Sequence, residues 1–358
     1  MTQSIQSSVC HLDAERGRLT YRGYDVVELA ERSTFEETAF LLVSGGLPTS
    51  RELRAYRRAI VANGRLSPVA RRLLKAAPAD ADELTVLRTV VSGLDLAPAA
   101  AEAGPDVIGA PALRVLGAVP AIVLQRARGD RAVRFRGEVA AALASAWNDA
   151  PPEAVVRALD AALILRADNE LNPGTFAVRV AASTQADLVS CVVAGLGALA
   201  GAKHSGHSAA VLRLLREVGE PSRAREVVRG LVAAGSKPSG FGHPVYRGED
   251  PRTPVARRLA EAACVAAGAG QWFALARAVE EAVAAESDAR ANVDFYLTVI
   301  YLAAKVPPTA FAALFAVARV PGWIAHALEQ GRDPELIRPR ATYVGPLQQA
   351  WKPTRARR

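Results

Sequence analysis

Residues 240–252 combine side chains that suit a small anionic substrate with a carbonyl group. The segment reads Gly-Phe-Gly-His-Pro-Val-Tyr-Arg-Gly-Glu-Asp-Pro-Arg, so His243 stands among glycines and is followed by Arg247 and Arg252. Glycine lets the backbone come close to a ligand, histidine can polarise a carbonyl, and the guanidinium group binds carboxylates. Because the chain contains only five histidines, His243 is a candidate functional residue.

Polar residues also interrupt segments that are otherwise apolar and helical. Asp294 lies inside an apolar run, and Arg319 stands among Ala, Val, Pro and Trp. An unpaired charge is costly in such surroundings, so both residues are candidates for a site. The remaining candidates lie in residues 166–172, which include Asn169, in residues 201–207, which include Lys203 and His204, and in residues 338–340, which include Arg338.

Three common kinds of site are not expected. His204 and His207 could share a metal ion, but neither a cysteine nor a carboxylate stands nearby in the sequence, so we expect no metal site. The sequence also has no Walker-type phosphate-binding loop and no Gly-x-Ser-x-Gly nucleophile motif.

The hydrophobic pattern predicts an all-α protein. Alanine and leucine dominate, and apolar residues recur three and four positions apart, as at Leu212, Leu215 and Val218. Residues 188–202 are rich in Ala, Gly and Val and predict a central helix packed tightly on its neighbours. The strand signal is weak apart from a possible short hairpin at residues 19–24. We expect a large helical body interrupted by a smaller helical insert.

Two helix starts have the sequence of a capping box. Thr34 is followed three residues later by Glu37, and Thr49 is followed by Glu52. In this motif the hydroxyl accepts a hydrogen bond from the backbone three residues on, and the acidic side chain accepts one from the capping residue. We therefore expect helices to begin directly after both threonines.

Composition narrows the class of protein. The 358 residues are half apolar and 22% charged, which is typical of a globular protein. The net charge is +8, but the basic residues are scattered and lack the patterns of nucleic-acid-binding proteins, so we expect an anionic small molecule and no nucleic acid. Three distant cysteines, no signal peptide and no uninterrupted apolar span predict a cytoplasmic protein that does not cross a membrane.

Taken in order along the chain, these motifs resemble those of the citrate synthase family. The resemblance begins with Tyr-Arg-Gly-Tyr-Asp at residues 21–25 and ends with Tyr-Val-Gly-Pro at residues 343–346. It is most specific in the segment around His243 and in Asn-Val-Asp-Phe-Tyr around Asp294, about fifty residues later. It covers nearly the whole chain.

The resemblance implies both a fold and an activity. The fold would be an all-helical homodimer with shared active sites, in which residues 1–207 and 306–358 form a large domain. Residues 208–305 would form a small domain that closes over the substrate. The activity would be an acyl transfer in which acetyl-CoA condenses with oxaloacetate to give citrate and CoA, with the CoA thioester as a substrate and no permanently bound cofactor.

The resemblance also assigns three catalytic residues. Asp294 matches the aspartate that removes a proton from the methyl group beside the thioester. His204 matches the histidine that donates a hydrogen bond to the thioester oxygen, a task that suits a neutral imidazole near a helix N-terminus. His243 matches the histidine that polarises the ketone of oxaloacetate as the new bond forms.

Binding residues follow from the same match. Arg252, Arg319 and Arg338 match the arginines that hold the substrate carboxylates, and Arg338 would come from the partner subunit. The residues expected to contact the CoA thioester are Arg247, Gly240 and Gly242.

The chain departs from the family pattern close to the expected site. Asn169 stands where the family commonly has a histidine that contacts oxaloacetate, and asparagine can donate a hydrogen bond but cannot carry a positive charge. Arg166 also replaces a histidine of the same motif, and Lys203 stands beside the expected enol-stabilising His204. These changes affect the expected identity of the substrate more than the fold.

Four hypotheses therefore remain open. The first is a citrate synthase, and the second is a 2-methylcitrate synthase that uses propionyl-CoA. The third is a divergent condensing enzyme with another 2-oxo acid, which Asn169 and Lys203 motivate. The fourth is a non-catalytic paralogue that binds a ligand or partner for regulation, and retention of His204, His243 and Asp294 counts against it.

Overall fold

The fold is helical throughout its core. A computed structural model describes residues 5–96, 108–129, 138–351 and 354. Within these ranges the helices are α1 (Val26–Arg32), α2 (Phe35–Ser44), α3 (Ser50–Asn63), α4 (Pro68–Ala76), α5 (Glu83–Ser92), α6 (Ala110–Arg128), α7 (Val139–Trp147), α8 (Glu153–Leu165), α9 (Pro173–Ser183), α10 (Leu188–Leu199), α11 (His207–Val218), α12 (Ala224–Ala233), α13 (Thr253–Ala266), α14 (Gly270–Glu286), α15 (Val293–Ala303) and α16 (Phe311–Gln330).

One small antiparallel sheet precedes the helices. Its strands are β1 (Cys10–Asp13), β2 (Arg18–Tyr21) and β3 (Tyr24–Asp25), in that order. The turn between β2 and β3 uses Arg22 at φ 50° and Gly23 at φ 89°, the pair of positive φ angles that a tight two-residue hairpin requires. The hairpin predicted at residues 19–24 is confirmed, and β1 is an additional strand that the sequence signal missed.

Of the two predicted capping boxes, the one at Thr49 is complete and the one at Thr34 is formed only in part. At α3, Thr49 and Glu52 form both hydrogen bonds of a capping box. At α2, the Thr34 hydroxyl accepts from the Glu37 backbone, but the Glu37 carboxylate accepts from the Ser33 hydroxyl at 2.8 Å instead of from Thr34. The prediction of a complete capping box at Thr34 is therefore wrong, because a nearer hydroxyl competes for the carboxylate.

The centre of the molecule is formed by α16 and the helices around it. Nearly every side chain of α16 is buried, and the helix packs against α2, α5, α6, α8, α9 and α10. Residues 308–330, which include α16, are long and apolar enough to cross a membrane, but 89% of this apolar stretch is buried inside the protein. The helix predicted at residues 188–202 is present as α10, which packs most extensively on α9 and also on α16.

The helices from α11 to α15 cover the part of the chain for which the sequence predicts a smaller insert. Within it α12 packs on α14, and α15 packs on α11 and α13. Both α13 and α15 also pack on α8, so the N-terminus of α15 and the C-terminus of α8 come together in space. The division into a large and a small domain stays a prediction.

Candidate active site

A cavity of about 610 Å³ collects most of the residues singled out in the sequence. Its walls come from the C-terminal end of α8, the α10–α11 turn, residues 237–244, the N-terminus of α15 and part of α16. Of the ten expected site residues, the following eight line this one cavity: Asn169, His204, Gly240, Gly242, His243, Arg252, Asp294 and Arg319.

Backbone hydrogen bonds join the two most informative motifs, although fifty residues separate them. Phe241 and Ala291 form an isolated antiparallel bridge. On either side of it, the Asn292 amide donates to the Gly240 carbonyl at 2.9 Å, and the Gly242 amide donates to the Arg290 carbonyl at 2.8 Å. This short pairing brings the segment that carries His243 to the first turn of α15, which carries Asp294.

Gly240 is required for a reason that the sequence argument did not give. Its φ is +86°, and a side chain there would lie 2.7 Å from Val211 and 2.8 Å from Phe295. The glycine therefore permits close packing within the protein at this point, not close approach of a ligand. Gly242 at φ +76° has open space beside it, so the expected role of admitting a ligand fits Gly242 alone.

The backbone around His243 fixes which ring nitrogen carries the proton. Nδ1 of His243 accepts hydrogen bonds from the amides of Val245 and Tyr246, both at 3.1 Å. A nitrogen that accepts cannot also hold the hydrogen in a neutral ring, so the proton resides on Nε2. Burial, and then the nearby Arg252 guanidinium, lower the pKa of His243. His243 is thus a neutral hydrogen-bond donor at neutral pH.

His204 is also held neutral. It precedes α11, which begins at His207, and its Nε2 is buried without a hydrogen-bond partner among the described residues. Burial is the largest cause that lowers the pKa of His204 to about 4, followed by the neighbouring Arg319 and His207. The helix N-terminus invoked from the sequence is present at the start of α11.

Asp294 lies in the first turn of α15, where the Asn292 side chain accepts a hydrogen bond from its amide at 3.1 Å. Its Oδ1 accepts a hydrogen bond from Nη2 of Arg166. Burial raises the pKa of Asp294, but the charges of Arg166, His207 and Arg252 outweigh burial and hold it below its ordinary value. Asp294 is therefore a carboxylate at neutral pH.

Arg252 is built into the cavity wall by an aspartate two residues earlier. Its Nε and Nη2 donate to the two carboxylate oxygens of Asp250 at 2.9 and 2.8 Å, and Nη1 donates to the Leu165 carbonyl at 3.3 Å. Both side chains are almost fully buried. A guanidinium group has five N–H donors, so two remain, one on each terminal nitrogen, for a substrate carboxylate.

Arg319 enters the cavity from α16 with spare donors. Its Nε donates to the Arg166 carbonyl at 2.6 Å, and its guanidinium carbon lies 4.9 Å from the centroid of the Phe315 ring. Its Nη1 is buried and has no partner among the residues that the structure describes. Since an unsatisfied buried donor costs free energy, a bound anion would stabilise this residue.

The two unusual residues occupy different parts of the cavity. Asn169 is half-buried, and its Oδ1 has no hydrogen-bond partner in the described part of the chain. Lys203 is exposed at the rim. Asn169 therefore can contact a ligand directly, whereas Lys203 adds a positive charge near the entrance.

Two expected site residues lie outside this cavity. Arg247 is exposed and lines a second cavity of about 420 Å³ together with Arg257 and Arg290. Arg338 is exposed in the segment after α16, in which residues 331–351 form no helix or strand. Neither residue shares the main cavity with His204 in a single chain. In the described residues no group of three or more His, Cys, Asp or Glu side chains is placed to hold a metal ion.

Arg166 is the residue in contact with the candidate base, a role that the sequence motifs do not assign to it. Arg166 is 3% exposed and lies at the end of the buried helix α8. A charged residue directly after a run as apolar as Ala-Ala-Leu-Ile-Leu is the signal that could have identified it.

Comparison with known proteins decides the family. The sequence model of the family "Citrate synthase, C-terminal domain" matches residues 1–340. The chain belongs to the citrate synthase family. Citrate synthase from Haloferax volcanii is 35% identical over 95% of this chain and 93% of its own. The 2-methylcitrate synthase from Shewanella oneidensis is also 35% identical, over 91% of this chain and 88% of its own.

A solved structure in the citrate synthase family has the same fold. The ternary complex of citrate synthase from Thermoplasma acidophilum with carboxymethyl coenzyme A and oxaloacetate superposes with a TM-score of 0.88. It is 26% identical and covers 99% of this chain and 97% of its own. The family, the all-α fold and the acyltransferase class predicted from the motifs are confirmed.

Proposed function

We propose that this citrate synthase family member condenses the acyl group of an acyl-CoA with a 2-oxo dicarboxylate, and that acetyl-CoA and oxaloacetate are its substrates. The products are then citrate and CoA. The observation that supports this proposal is the convergence of a carboxylate, two neutral histidines and two arginines on one cavity. The residues are Asp294, His204, His243, Arg252 and Arg319.

The first step is the removal of a proton from the carbon next to the thioester. Such a carbon is a weak acid, so a base needs help from a group that stabilises the enolate. Asp294 takes the proton, while His204 donates a hydrogen bond to the thioester oxygen. Both residues are in the protonation state that this step needs at pH 7, because the pKa of His204 is about 4 and that of Asp294 is below its ordinary value.

Carbon–carbon bond formation follows. The enolate carbon attacks the ketone carbon of the 2-oxo acid, and the hydrogen bond from His243 Nε2 stabilises the alkoxide that forms. The alkoxide then takes up one proton, which balances the proton that Asp294 removed. Arg252 and Arg319 hold the carboxylates through their remaining N–H donors. Water then cleaves the thioester of the condensed product, which releases CoA as the free thiol.

The larger assembly is also part of the proposal. We infer that residues 208–305 close over residues 1–207 and 306–358, and that closure excludes water until condensation is complete. In a homodimer Arg338 would complete the site of the partner subunit, and Arg247 would contact the CoA phosphates. The enzyme would need no permanently bound cofactor and would act in the cytoplasm.

A second candidate substrate is propionyl-CoA. The 2-methylcitrate synthase from Shewanella oneidensis is as similar in identity as the citrate synthase from Haloferax volcanii, so similarity does not separate the two acyl groups. Asn169 supports a further variant with another 2-oxo acid, since its unpaired Oδ1 accepts a hydrogen bond that a protonated histidine could not accept.

The test is CoA release, measured with a thiol reagent, for each pair of acetyl- or propionyl-CoA with oxaloacetate or another 2-oxo acid. Oxaloacetate-dependent release with acetyl-CoA as the better acyl donor supports the proposal. A higher kcat/KM for propionyl-CoA would instead indicate a 2-methylcitrate synthase. A higher kcat/KM for another 2-oxo acid would indicate a divergent condensing enzyme. Absence of release with every pair contradicts all three and favours a non-catalytic paralogue.

A further inference from the structure

We propose that Arg166 is a positioning residue for the base: it holds Oδ1 of Asp294 and leaves Oδ2 as the atom that takes the substrate proton. This inference rests on the proposed function, because it gives the base of that reaction a fixed partner. It goes further by naming which carboxylate oxygen reacts and which residue keeps that carboxylate charged.

The guanidinium group of Arg166 is fixed by contacts from three helices. Its Nη2 donates both to Asp294 Oδ1 on α15 and to the Ser208 hydroxyl on α11, the latter at 2.9 Å. Its guanidinium carbon lies 4.5 Å from the centroid of the Phe315 ring on α16. Its side chain is 3% exposed, and these contacts on three sides define where the carboxylate stands.

The carboxylate of Asp294 is held at one oxygen only. No described residue forms a hydrogen bond with Oδ2, whereas Oδ1 is bound by Arg166. The side chain is 22% exposed, and Asp294 is part of the cavity wall. A general base must reach its proton within hydrogen-bond distance, and Oδ2 is the oxygen that is free to do so.

Several charged or titratable groups face Asp294, and only one of them contacts it. They are Arg166 at the end of α8, His207 at the start of α11, Asp250 and Arg252 before α13, and His204 and His243 across the cavity. Without a cation in contact, a partly buried carboxylate tends to accept a proton and lose its basic form. Arg166 prevents this, at the cost of a less basic carboxylate.

The first experiment compares kcat/KM for CoA release from pH 5.5 to pH 8 in the wild-type enzyme, Arg166→Gln and Arg166→Lys. When the pH is lowered from 8 to 5.5, kcat/KM of Arg166→Gln should fall at least about tenfold more than kcat/KM of the wild type. The reason is that burial then dominates the pKa of Asp294 and favours its protonated form. At the optimum pH, kcat should be lower by about 10- to 100-fold, because the carboxylate is less well placed.

Arg166→Lys and Arg157→Gln are the controls. Lysine retains the cation, so its pH profile should follow the wild type although kcat is lower. Arg157 lies on the same helix and pairs with Asp160 outside the cavity, so Arg157→Gln should leave kcat unchanged. A wild-type pH profile in Arg166→Gln, or the same acid loss in Arg166→Lys as in Arg166→Gln, overturns the inference.

A second experiment needs no catalytic activity. Thermal melting at pH 7 is measured for Arg166→Gln, Asp294→Asn and the double variant. Each single change leaves one charge without its partner, whereas the double change removes both, so the double variant should melt above Arg166→Gln. Additive losses contradict the ion pair. This result stands even if CoA release fails, and so separates failure of this inference from failure of the proposed function.

Discussion

His204 and Asp294 face the same cavity but need opposite charge states. His204 must stay neutral to donate a hydrogen bond without transferring its proton, and Asp294 must stay charged to accept one. Burial achieves the first, because it lowers the pKa of His204 to about 4. Asp294 stays charged because Arg166, with smaller contributions from His207 and Arg252, outweighs the effect of burial on its pKa.

Removal of the Asp294 carboxylate should abolish proton transfer while leaving the CoA site intact. For Asp294→Asn or Asp294→Ala we expect kcat to fall by about 10²- to 10⁴-fold, with CoA binding by calorimetry unchanged. The matched control is Asp149→Asn, since 88% of the Asp149 side chain is exposed. Retention of wild-type kcat in both Asp294 variants would show that another group is the base.

The two site histidines should make stability depend on pH below neutrality. The pKa of His204 falls from 6.5 to about 4 on folding, and that of His243 also falls. Between these values the unfolded chain binds more protons than the folded one, so the stabilisation present above pH 6.5 is lost as the pH falls towards 4. Between pH 7 and pH 4.5, the melting temperature of His204→Asn should fall by a few degrees less than that of the wild type.

His11→Asn is the control for that measurement, because His11 is an exposed histidine on β1. It should follow the wild-type curve. Identical curves for His204→Asn and the wild type would mean that His204 is not held neutral in the folded protein.

Most of the site residues could be predicted from the sequence because they lie in several short motifs that follow one another in a specific order. His204, His243, Asp294 and Arg319 come to the cavity as that order implies. The partner of the base could not be predicted, since it depends on how α8 meets α15 in space. Motif order gives residue types, whereas contacts between distant motifs arise only after packing.

At the scale of elements, α16 is the helix that links the core to the site. It provides Arg319 to the cavity and approaches the backbone of residues 167–168 at Gly322. A side chain at Gly322 would overlap the Ala167 carbonyl and the Asp168 carboxylate. The glycine therefore lets α16 lie against the segment that carries Asn169.

Gly322→Ala should destabilise the protein and disturb the site together. Overpacking against backbone typically costs about 1–3 kcal/mol, measured here by urea denaturation. Gly230→Ala on α12 is the matched control, since a side chain there meets no atom within 4 Å, and alanine in a helix should be neutral or stabilising by about 0.5–1 kcal/mol. Equal effects of the two changes would contradict the close approach of α16.

Helix positions followed from periodicity, but the contact that assembles the site did not. The single bridge between Phe241 and Ala291 joins two loops that have no strand pattern. Periodicity is a local property, so it cannot reveal a pairing across fifty residues.

At the scale of the whole molecule, the segment after α16 is unusual because it carries several exposed apolar side chains. Leu336, Tyr343, Val344, Leu347 and Trp351 are each between 49% and 93% exposed in the single chain. Arg338 lies in this segment, outside the cavity of its own chain. The proposal that Arg338 acts in the site of a partner subunit would place a second copy of the chain against this segment.

Subunit mixing tests this shared site. Asp294→Asn and Arg338→Gln should each be nearly inactive alone. If Arg338 acts in the partner's site, a hybrid of the two variants contains one unaltered site, and random mixing should restore about a quarter of wild-type activity. Mixing after partial denaturation, followed by a CoA-release assay, gives the result. No recovery in hybrids that have formed would place Arg338 outside the partner's site.

The fate of the acyl carbon distinguishes carbon–carbon bond formation from simple cleavage of the thioester. Acetyl-CoA labelled with ¹³C in its methyl group is incubated with oxaloacetate and the enzyme, and the acids formed are identified by mass spectrometry. We expect labelled citrate in an amount equal to the CoA released, and almost none with Asp294→Asn. Labelled acetate in place of citrate would mean that the cavity cleaves thioesters without forming a carbon–carbon bond, and the proposed condensation would be wrong.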